Sequence, residues 1–166
     1  YVTDLGLAPQ VGAYCLALIG LFNIAGSFLS GMVGSRWSKT YGLSWIYFGR
    51  ALVILGLLLA PKTALTLYVF SALMGLLWLS TIPLTTGVLS DVFGVRYVAT
   101  LYGFVFFGHQ VGSFIGVWLG GVFYDRYGSY DAMWWAGIVV GVLAALIHLP
   151  ISEKPVSRVA TASAIA

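Results

Sequence analysis

Residues 64–90 read ALTLYVFSALMGLLWLSTIPLTTGVLS, a stretch without aspartate, glutamate, lysine or arginine. A helix needs about 20 predominantly apolar residues to cross the hydrocarbon core of a bilayer. The apolar residues here do not alternate with polar ones, as they would in a membrane barrel strand of about 10 residues. The stretch is therefore predicted to be a membrane-spanning α-helix.

Four further stretches have the same character, and short polar breaks separate them. The five predicted spans cover residues 10–34, 43–60, 64–90, 98–124 and 132–150. The predicted fold class is an all-α transmembrane bundle over residues 1–151. A polar tail, residues 152–166, is expected to be disordered. Because the chain starts at Tyr1 with no initiator methionine or signal peptide, it is interpreted as a fragment of a longer protein.

Composition points to lipid as the solvent of this chain. Hydrophobic residues make up 60% of the 166 residues and charged residues 8%, whereas a soluble domain has roughly a quarter charged residues. The net charge of +3 is scattered over short loops, so no nucleic-acid partner is indicated. No catalytic motif, cofactor motif or metal-ligand cluster is present, and the single cysteine, Cys15, is interpreted as a small core residue.

The distribution of basic residues predicts how the spans are oriented, because cytoplasmic loops are enriched in lysine and arginine. One side carries five basic residues and the other carries two. This predicts an integral membrane protein with its N-terminus outside and its tail in the cytoplasm. The cytoplasmic group is Arg36, Lys39, Arg96, Lys154 and Arg158, and the outer group is Lys62 and Arg126.

The fourth span carries a glycine at every fourth position: Gly108, Gly112, Gly116 and Gly120. Residues four apart lie on one helix face, so another helix can approach this face closely. Two interpretations stay open: packing against another span of this chain, or a sliding contact with a partner bundle outside it.

Polar residues inside the spans are the candidate substrate- or proton-binding groups, because such residues usually face a cavity or a partner. His109 and Gln110 lie in the fourth span, and Asn23 and Ser27 lie in the first. Each could instead hydrogen-bond to a neighbouring helix. Arg50, seven residues into the second span, is expected to extend its side chain to the cytoplasmic interface.

The third span combines Trp78, hydroxyl residues such as Thr81, and a proline at position 83. Proline removes one helix hydrogen bond and can bend the span. Either neighbouring hydroxyls satisfy the freed carbonyls, or the bend marks a binding cavity.

Residues 31–42 read GMVGSRWSKTYG. They resemble the cytoplasmic loop motif of the major facilitator superfamily in its second, degenerate copy. Gly31, Arg36, Lys39 and Gly42 match the motif, whereas Ser35 stands where it usually has aspartate.

A second set of residues resembles the monocarboxylate and oxalate–formate branch of that superfamily. It runs from residues 91–94 (DVFG) through the glycine ladder to residues 124–130 (YDRYGSY). The resemblance implies that the five spans are helices eight to twelve of twelve and that a missing N-terminal half completes a central cavity. It also implies gating roles for the residues of the loop motif, for Asp91 and for the ladder.

The branch carries an aspartate and, four residues later, an arginine in the helix that matches the first span, where this chain has Asn23 and Ser27. Its oxalate–formate members carry a cavity lysine in the helix that matches the fourth span, near His109. The resemblance thus implies a protonatable group facing an organic anion.

The leading hypothesis is the C-terminal part of a secondary active transporter for a small organic solute, with an organic anion as the favoured class. It works by alternating access, in a lipid bilayer, without cofactor, metal or catalysis. The alternative is a membrane-embedded structural or assembly subunit that does not transport.

Overall fold

The computed structural model describes residues 1–156, which form a bundle of α-helices without strands. The predicted all-α class is confirmed. The helices are α1 (Pro9–Gly34), α2 (Lys39–Leu59), α3 (Ala64–Trp78), α4 (Thr81–Phe93), α5 (Val98–Tyr127) and α6 (Asp131–His148), with a short 3-10 turn at Val95–Tyr97.

Five helical stretches in the described residues are long and apolar enough to cross a membrane. Helices α3 and α4 are two halves of one such stretch, Ala64–Phe93. The spans therefore match the five expected from hydropathy, and the third is interrupted near its middle.

Local signals explain where the helices begin and end. Helix α2 starts at Lys39, before the predicted span, because the Ser38 hydroxyl accepts a hydrogen bond from the Tyr41 amide at 3.3 Å. Helix α5 stops at Tyr127, where Gly128 adopts a φ of 66° that favours glycine.

Helices α1 and α3 pack with their backbones in direct contact. A Cβ at Gly26 would lie 1.9 Å from the carbonyl oxygen of Leu76, and a Cβ at Gly75 would lie 2.6 Å from that of Ile19. Membrane helices commonly use small residues for such contacts. These two glycines, not the predicted ladder, set the closest helix approach in the described chain.

Helix α5 is the least buried helix of the bundle, and none of its residues is buried. A Cβ at each of the four ladder glycines would meet no atom within 4 Å. The described residues therefore bring no helix against the ladder, and packing of the ladder within this part of the chain is not observed.

The segment before α1 and the start of α2 lie at opposite ends of the bundle. At one end the Tyr1 ring contacts Tyr130 and Trp134, with ring centroids 5.9 Å and 5.5 Å apart. At the other end Lys39 pairs with Asp91. Arg158, assigned from the sequence to the cytoplasmic group, lies outside the described residues.

Candidate functional site

The third span is interrupted at Leu79 and Ser80, between α3 and α4. Pro83 has no amide hydrogen to continue the helical pattern, and it occupies the first turn of α4, where none is needed. The Leu79 carbonyl accepts instead from the Ile82 amide at 3.0 Å. The break therefore replaces the simple bend that the sequence predicted.

Side chains satisfy the backbone groups that the break leaves free. Asn23 of α1 accepts a hydrogen bond from the Leu79 amide at 3.1 Å. Ser80 donates its hydroxyl to the Leu76 carbonyl. Because unpaired backbone groups are costly away from water, these bonds make an interruption at membrane depth tolerable.

Arg50 of α2 also binds the break, and the expectation that it extends to the membrane interface is wrong. Its Nε and Nη2 donate to the Leu77 carbonyl at 3.2 Å and 2.6 Å, and Nη2 also donates to the Trp78 carbonyl. The guanidinium lies 5.1 Å from the centroid of the Tyr47 ring. Packing thus turns the side chain towards the third span.

Beside the break lies a cavity of about 480 Å³ between α2, α4 and α5, which we call the polar cavity. Three predicted site residues, Trp78, Thr81 and His109, line it together. Its other lining residues include two aromatic hydroxyls, two aliphatic hydroxyls and the one charged side chain: Tyr47, Tyr102, Thr85, Ser113 and Arg50. No carboxylate is among the described residues that line it.

His109 is exposed towards this cavity rather than packed in a helix contact. Its ring stacks on Phe106 with centroids 6.1 Å apart. Within residues 1–156 its ring nitrogens make no hydrogen bond to other side chains or backbone groups. They are therefore free to bind a ligand or water.

The other three predicted site residues do not line the polar cavity. Ser27 and Gln110 are absent from its lining. Asn23 is next to it through its bond to the break, not through the lining itself. The sequence pattern therefore pointed to three lining residues and to the hydroxyls of the third span. It did not point to Arg50, Tyr102 or Ser113 as lining residues.

A larger cavity, of about 590 Å³, lies between α1, α2 and the third span. Leucines, glycines and the side chains of Trp37 and Trp45 form most of its wall, and three serines and a tyrosine add hydroxyl groups. It lacks the basic groups of the polar cavity, so it offers less for the recognition of a polar solute.

The loop-motif residues form an ionic contact at the opposite end of α4. Lys39 Nζ lies 2.7 Å from Asp91 Oδ2, and the aliphatic part of Lys39 covers Gly87. This pair joins the start of α2 to the end of α4.

The other residues of the loop motif make no ionic contact within residues 1–156. Arg36 is exposed and pairs with no carboxylate in the described residues. Gly31 lies beside α4, since a Cβ at this glycine would be 4.0 Å from the Cβ of Pro83.

Glu153 makes a contact at the same end that the sequence did not reveal. Its Oε1 accepts from the Ser38 hydroxyl at 2.5 Å, from the Thr40 amide at 2.8 Å and from the Thr40 hydroxyl at 2.7 Å. Partial burial raises the pKa of Glu153, but these hydrogen bonds and the charge of Lys39 outweigh it, so the pKa lies below its ordinary value.

Glu153 therefore tethers the chain after α6 to the first turn of α2, where a negative charge is favourable. The Val156 amide adds a bond to the Val92 carbonyl at 3.0 Å. The tail expected to be disordered starts at residue 152, yet residues 153–156 hold these contacts. Its remainder, residues 157–166, lies outside the described residues.

Comparison with known proteins finds relatives that are similar to this chain in sequence. The chain is 32% identical over 145 residues to an uncharacterized MFS-type transporter, YcxA, of Bacillus subtilis (strain 168), covering 84% of this chain and 36% of that protein. It is 30% identical over 135 residues to monocarboxylate transporter 12-B of Danio rerio, covering 80% of this chain and 28% of that protein. The chain thus spans about a third of the length of these relatives.

No solved structure matches the chain significantly. The sequence profile of the Major Facilitator Superfamily, in contrast, matches residues 1–165, which is almost the whole chain. The match agrees with the five membrane-spanning stretches and with the loop motif at residues 31–42. This integral membrane chain belongs to the Major Facilitator Superfamily of transporters.

Proposed function

We propose that this chain is the C-terminal part of a secondary active transporter that moves a small organic anion by alternating access. In this proposal the polar cavity is this half's share of the substrate path, and an N-terminal half outside the chain completes it. The protein lies in a bacterial inner membrane, with its N-terminal end outside and its tail in the cytoplasm.

The composition of the polar cavity is the observation that carries the proposal. Arg50 and His109 are its basic groups, and hydroxyls and aromatic rings form much of the remaining wall. A cavity of this kind, beside an interrupted helix, is typical of substrate sites in secondary transporters. Positive charge without a carboxylate in the lining favours an anionic solute.

One of the relatives is named a monocarboxylate transporter, and this name agrees with an organic anion as substrate. In this chain, Asn23 and Ser27 occupy the positions expected for the charged pair of that branch. We therefore assign solute contact to His109, together with Trp78 and Thr81. In this proposal the first span has a structural role, because Asn23 binds the break in the third span.

Gating is assigned to the two surfaces that a moving partner half would use. The open face at Gly108, Gly112, Gly116 and Gly120 provides a close, sliding contact. The Lys39–Asp91 pair, next to Gly31 and Arg36, holds one end of α4 and α2 together and can separate when the cavity opens on that side.

The alternative is a structural subunit that does not transport. This alternative requires the polar side chains of the spans to be hydrogen-bonded to neighbouring helices, as Asn23 is. His109 and Ser113, which line an open cavity instead, favour transport.

Reconstitution of the full-length protein in liposomes decides between the transporter and the structural subunit. Uptake of radiolabelled lactate, oxalate or succinate above that of empty liposomes is expected for a transporter. Absence of uptake of all three would reject the organic-anion proposal.

Replacement of His109 by alanine is expected to remove or sharply alter the pH dependence of this uptake, because histidine is the side chain suited to gaining and losing a proton near neutral pH. The other charged or phenolic side chains of the cavity lining are Arg50, Tyr47 and Tyr102. His148→Ala is the comparison, because that ring bonds to the Ala144 carbonyl at 2.7 Å, lies outside the cavity lining and stacks on the Tyr47 ring with centroids 5.1 Å apart. It therefore reports any indirect effect of losing a histidine next to the cavity wall. A wild-type pH profile in His109→Ala would reject the proton role.

A further inference from the structure

Arg50 carries a positive charge within a membrane span, and no carboxylate of the described residues neutralises this charge. The ion pairs in residues 1–156 are the Tyr1 amino group with Asp4, and Lys39 with Asp91. Arg50 instead donates to two backbone carbonyls. A neutral donor could satisfy those carbonyls at a lower cost of burial, so capping alone does not explain a charge here.

The donors of Arg50 are only partly used. A guanidinium has five N–H groups spread over Nε, Nη1 and Nη2. In the described residues Nε and Nη2 make all of its hydrogen bonds, and Nη1 makes none. Arg50 lines the polar cavity. Nη1 therefore keeps two N–H donors of the charged guanidinium without intramolecular bonds in residues 1–156, in a residue that lines the cavity.

The existing bonds also fix the orientation of the guanidinium. Nε and Nη2 are held by the Leu77 and Trp78 carbonyls, and the Tyr47 ring lies 5.1 Å from the guanidinium carbon. An arginine that is already oriented loses less conformational entropy when it binds a ligand. The break in the third span thus provides both the site beside the cavity and the groups that position its basic residue.

We propose that Arg50 is the residue that binds the carboxylate of the transported solute, using Nη1 while Nε and Nη2 stay on the broken helix. The proposal rests on the organic-anion function proposed above and assigns its charge recognition to α2. His109, across the same cavity on α5, then contacts another part of the solute. Ionic hydrogen bonds of this type are roughly twice as strong as neutral ones, so a carboxylate is favoured over its amide.

The test measures binding to the purified full-length protein in detergent, with lactate, oxalate and succinate as probes and their amides as neutral counterparts. Thermal stabilisation by at least one carboxylate, and not by its amide, is expected for the wild type. Arg50→Gln is expected to weaken that binding roughly tenfold to a hundredfold, the usual effect of a lost charged hydrogen bond. Arg50→Lys should retain part of it, because it keeps the charge without the fork.

Arg126→Gln is the matched control, since Arg126 is exposed in the last turn of α5 and away from the cavity. It should bind the probes as the wild type does. Uptake should follow the same order, with the KM of Arg50→Gln raised more than its maximal rate is lowered. A variant that only destabilised the break would lower the maximal rate for every solute instead.

A second measurement avoids the variants, in case Arg50→Gln does not fold. Phenylglyoxal modifies arginine side chains, and mass spectrometry of the wild type reports its reaction at Arg50 and, as an internal reference, at Arg126. The stabilising carboxylate should protect Arg50 and leave Arg126 unchanged.

The outcomes separate this inference from the proposed function. A wild type that prefers carboxylates while Arg50→Gln binds them equally well, or while Arg50 is not protected, overturns the role of Arg50 alone. A wild type without preference for carboxylates over amides overturns the organic-anion function and the role of Arg50 together. Loss of preference in Arg50→Gln, or selective protection in the wild type, supports both.

Discussion

Replacing Gly26 with valine is expected to prevent normal folding of the full-length protein. The added Cβ would lie 1.9 Å from the Leu76 carbonyl oxygen and 2.7 Å from its carbonyl carbon. These are backbone atoms, so relief requires α1 and α3 to separate along the interface that Gly75 also forms. Overpacking that displaces side chains already costs about 1–3 kcal/mol, and we expect a loss of at least about 3 kcal/mol here.

Gly20→Val is the control for this change, because it lies on the same helix and its added Cβ would meet no atom within 4 Å. The two variants share the difference in helix propensity and differ in the helix contact. The fraction of monodisperse protein after detergent extraction, and its midpoint of thermal unfolding, should fall in Gly26→Val and stay near wild type in Gly20→Val. Equal values for the two variants would contradict the close packing of α1 and α3.

Gly112→Leu is expected to stop transport while leaving this bundle folded. No atom of the described residues lies within 4 Å of the Cβ position at Gly112, so the bundle has room for a side chain. In the proposed transporter that space belongs to the partner half, and a leucine would hold the two halves apart. We expect uptake to fall by at least about tenfold, which corresponds to about 1.4 kcal/mol on the rate-limiting barrier.

Gly121→Leu provides the comparison on the same helix. It is nine residues from Gly112, which at about 100° per residue places it on roughly the opposite face, and it also has open space around its Cβ position. Proteoliposome uptake and the chromatographic profile of both variants should be measured together. Wild-type uptake in Gly112→Leu would refute the sliding contact, whereas aggregation of Gly112→Leu alone would place the ladder in a static interface.

Hydropathy was sufficient to predict the five spans and the all-α class. A charge-free run such as residues 64–90 has few stable alternatives to a membrane helix, because backbone groups in lipid must be satisfied within the segment. The ends of the helices were less accurate. The start of α2 depends on the cap formed by Ser38, which lies outside the apolar run.

The break in the third span could be predicted only in part. Pro83 indicated a distortion, but the position of the break, Leu79–Ser80, also depends on Asn23 and Arg50, which come from other helices. Such partners are set by tertiary packing and have no local signature. For the same reason Arg50 was assigned to the interface from its depth in the span, although its side chain faces the break.

Glycine patterns show the same limit. The regular ladder on α5 is the most visible pattern in the sequence, yet it contacts nothing in the described residues. Gly26 and Gly75 carry the tightest contact, and Gly26 belongs to a shorter set of small residues four apart, with Ser30 and Gly34, that was not singled out from the sequence. A pattern of small residues predicts that a face can be approached, and the fold decides whether a partner within the same chain approaches it.

The candidate site was predicted best where several residues converge. His109 was chosen because polar residues within a span are costly, and Trp78 and Thr81 because they lie next to the proline of the third span; all three line one cavity. Ser27 and Gln110 met the same criterion but lie outside its lining. Their difference comes from the rotation of each helix about its axis, which hydropathy does not determine.

Access of water to the polar cavity is the most direct test of the proposed transporter. Single cysteines at residues 102–113 of the full-length protein, in a background without Cys15 and other cysteines, can be exposed in membranes to a membrane-impermeant thiol reagent. Five positions of this stretch line the cavity and are expected to react: Tyr102, Val105, Phe106, His109 and Ser113. Phe104 and Phe107, on the opposite face of α5, are not expected to react. No reaction at any of the five lining positions would contradict a water-filled substrate path, and with it transport by alternating access through this cavity.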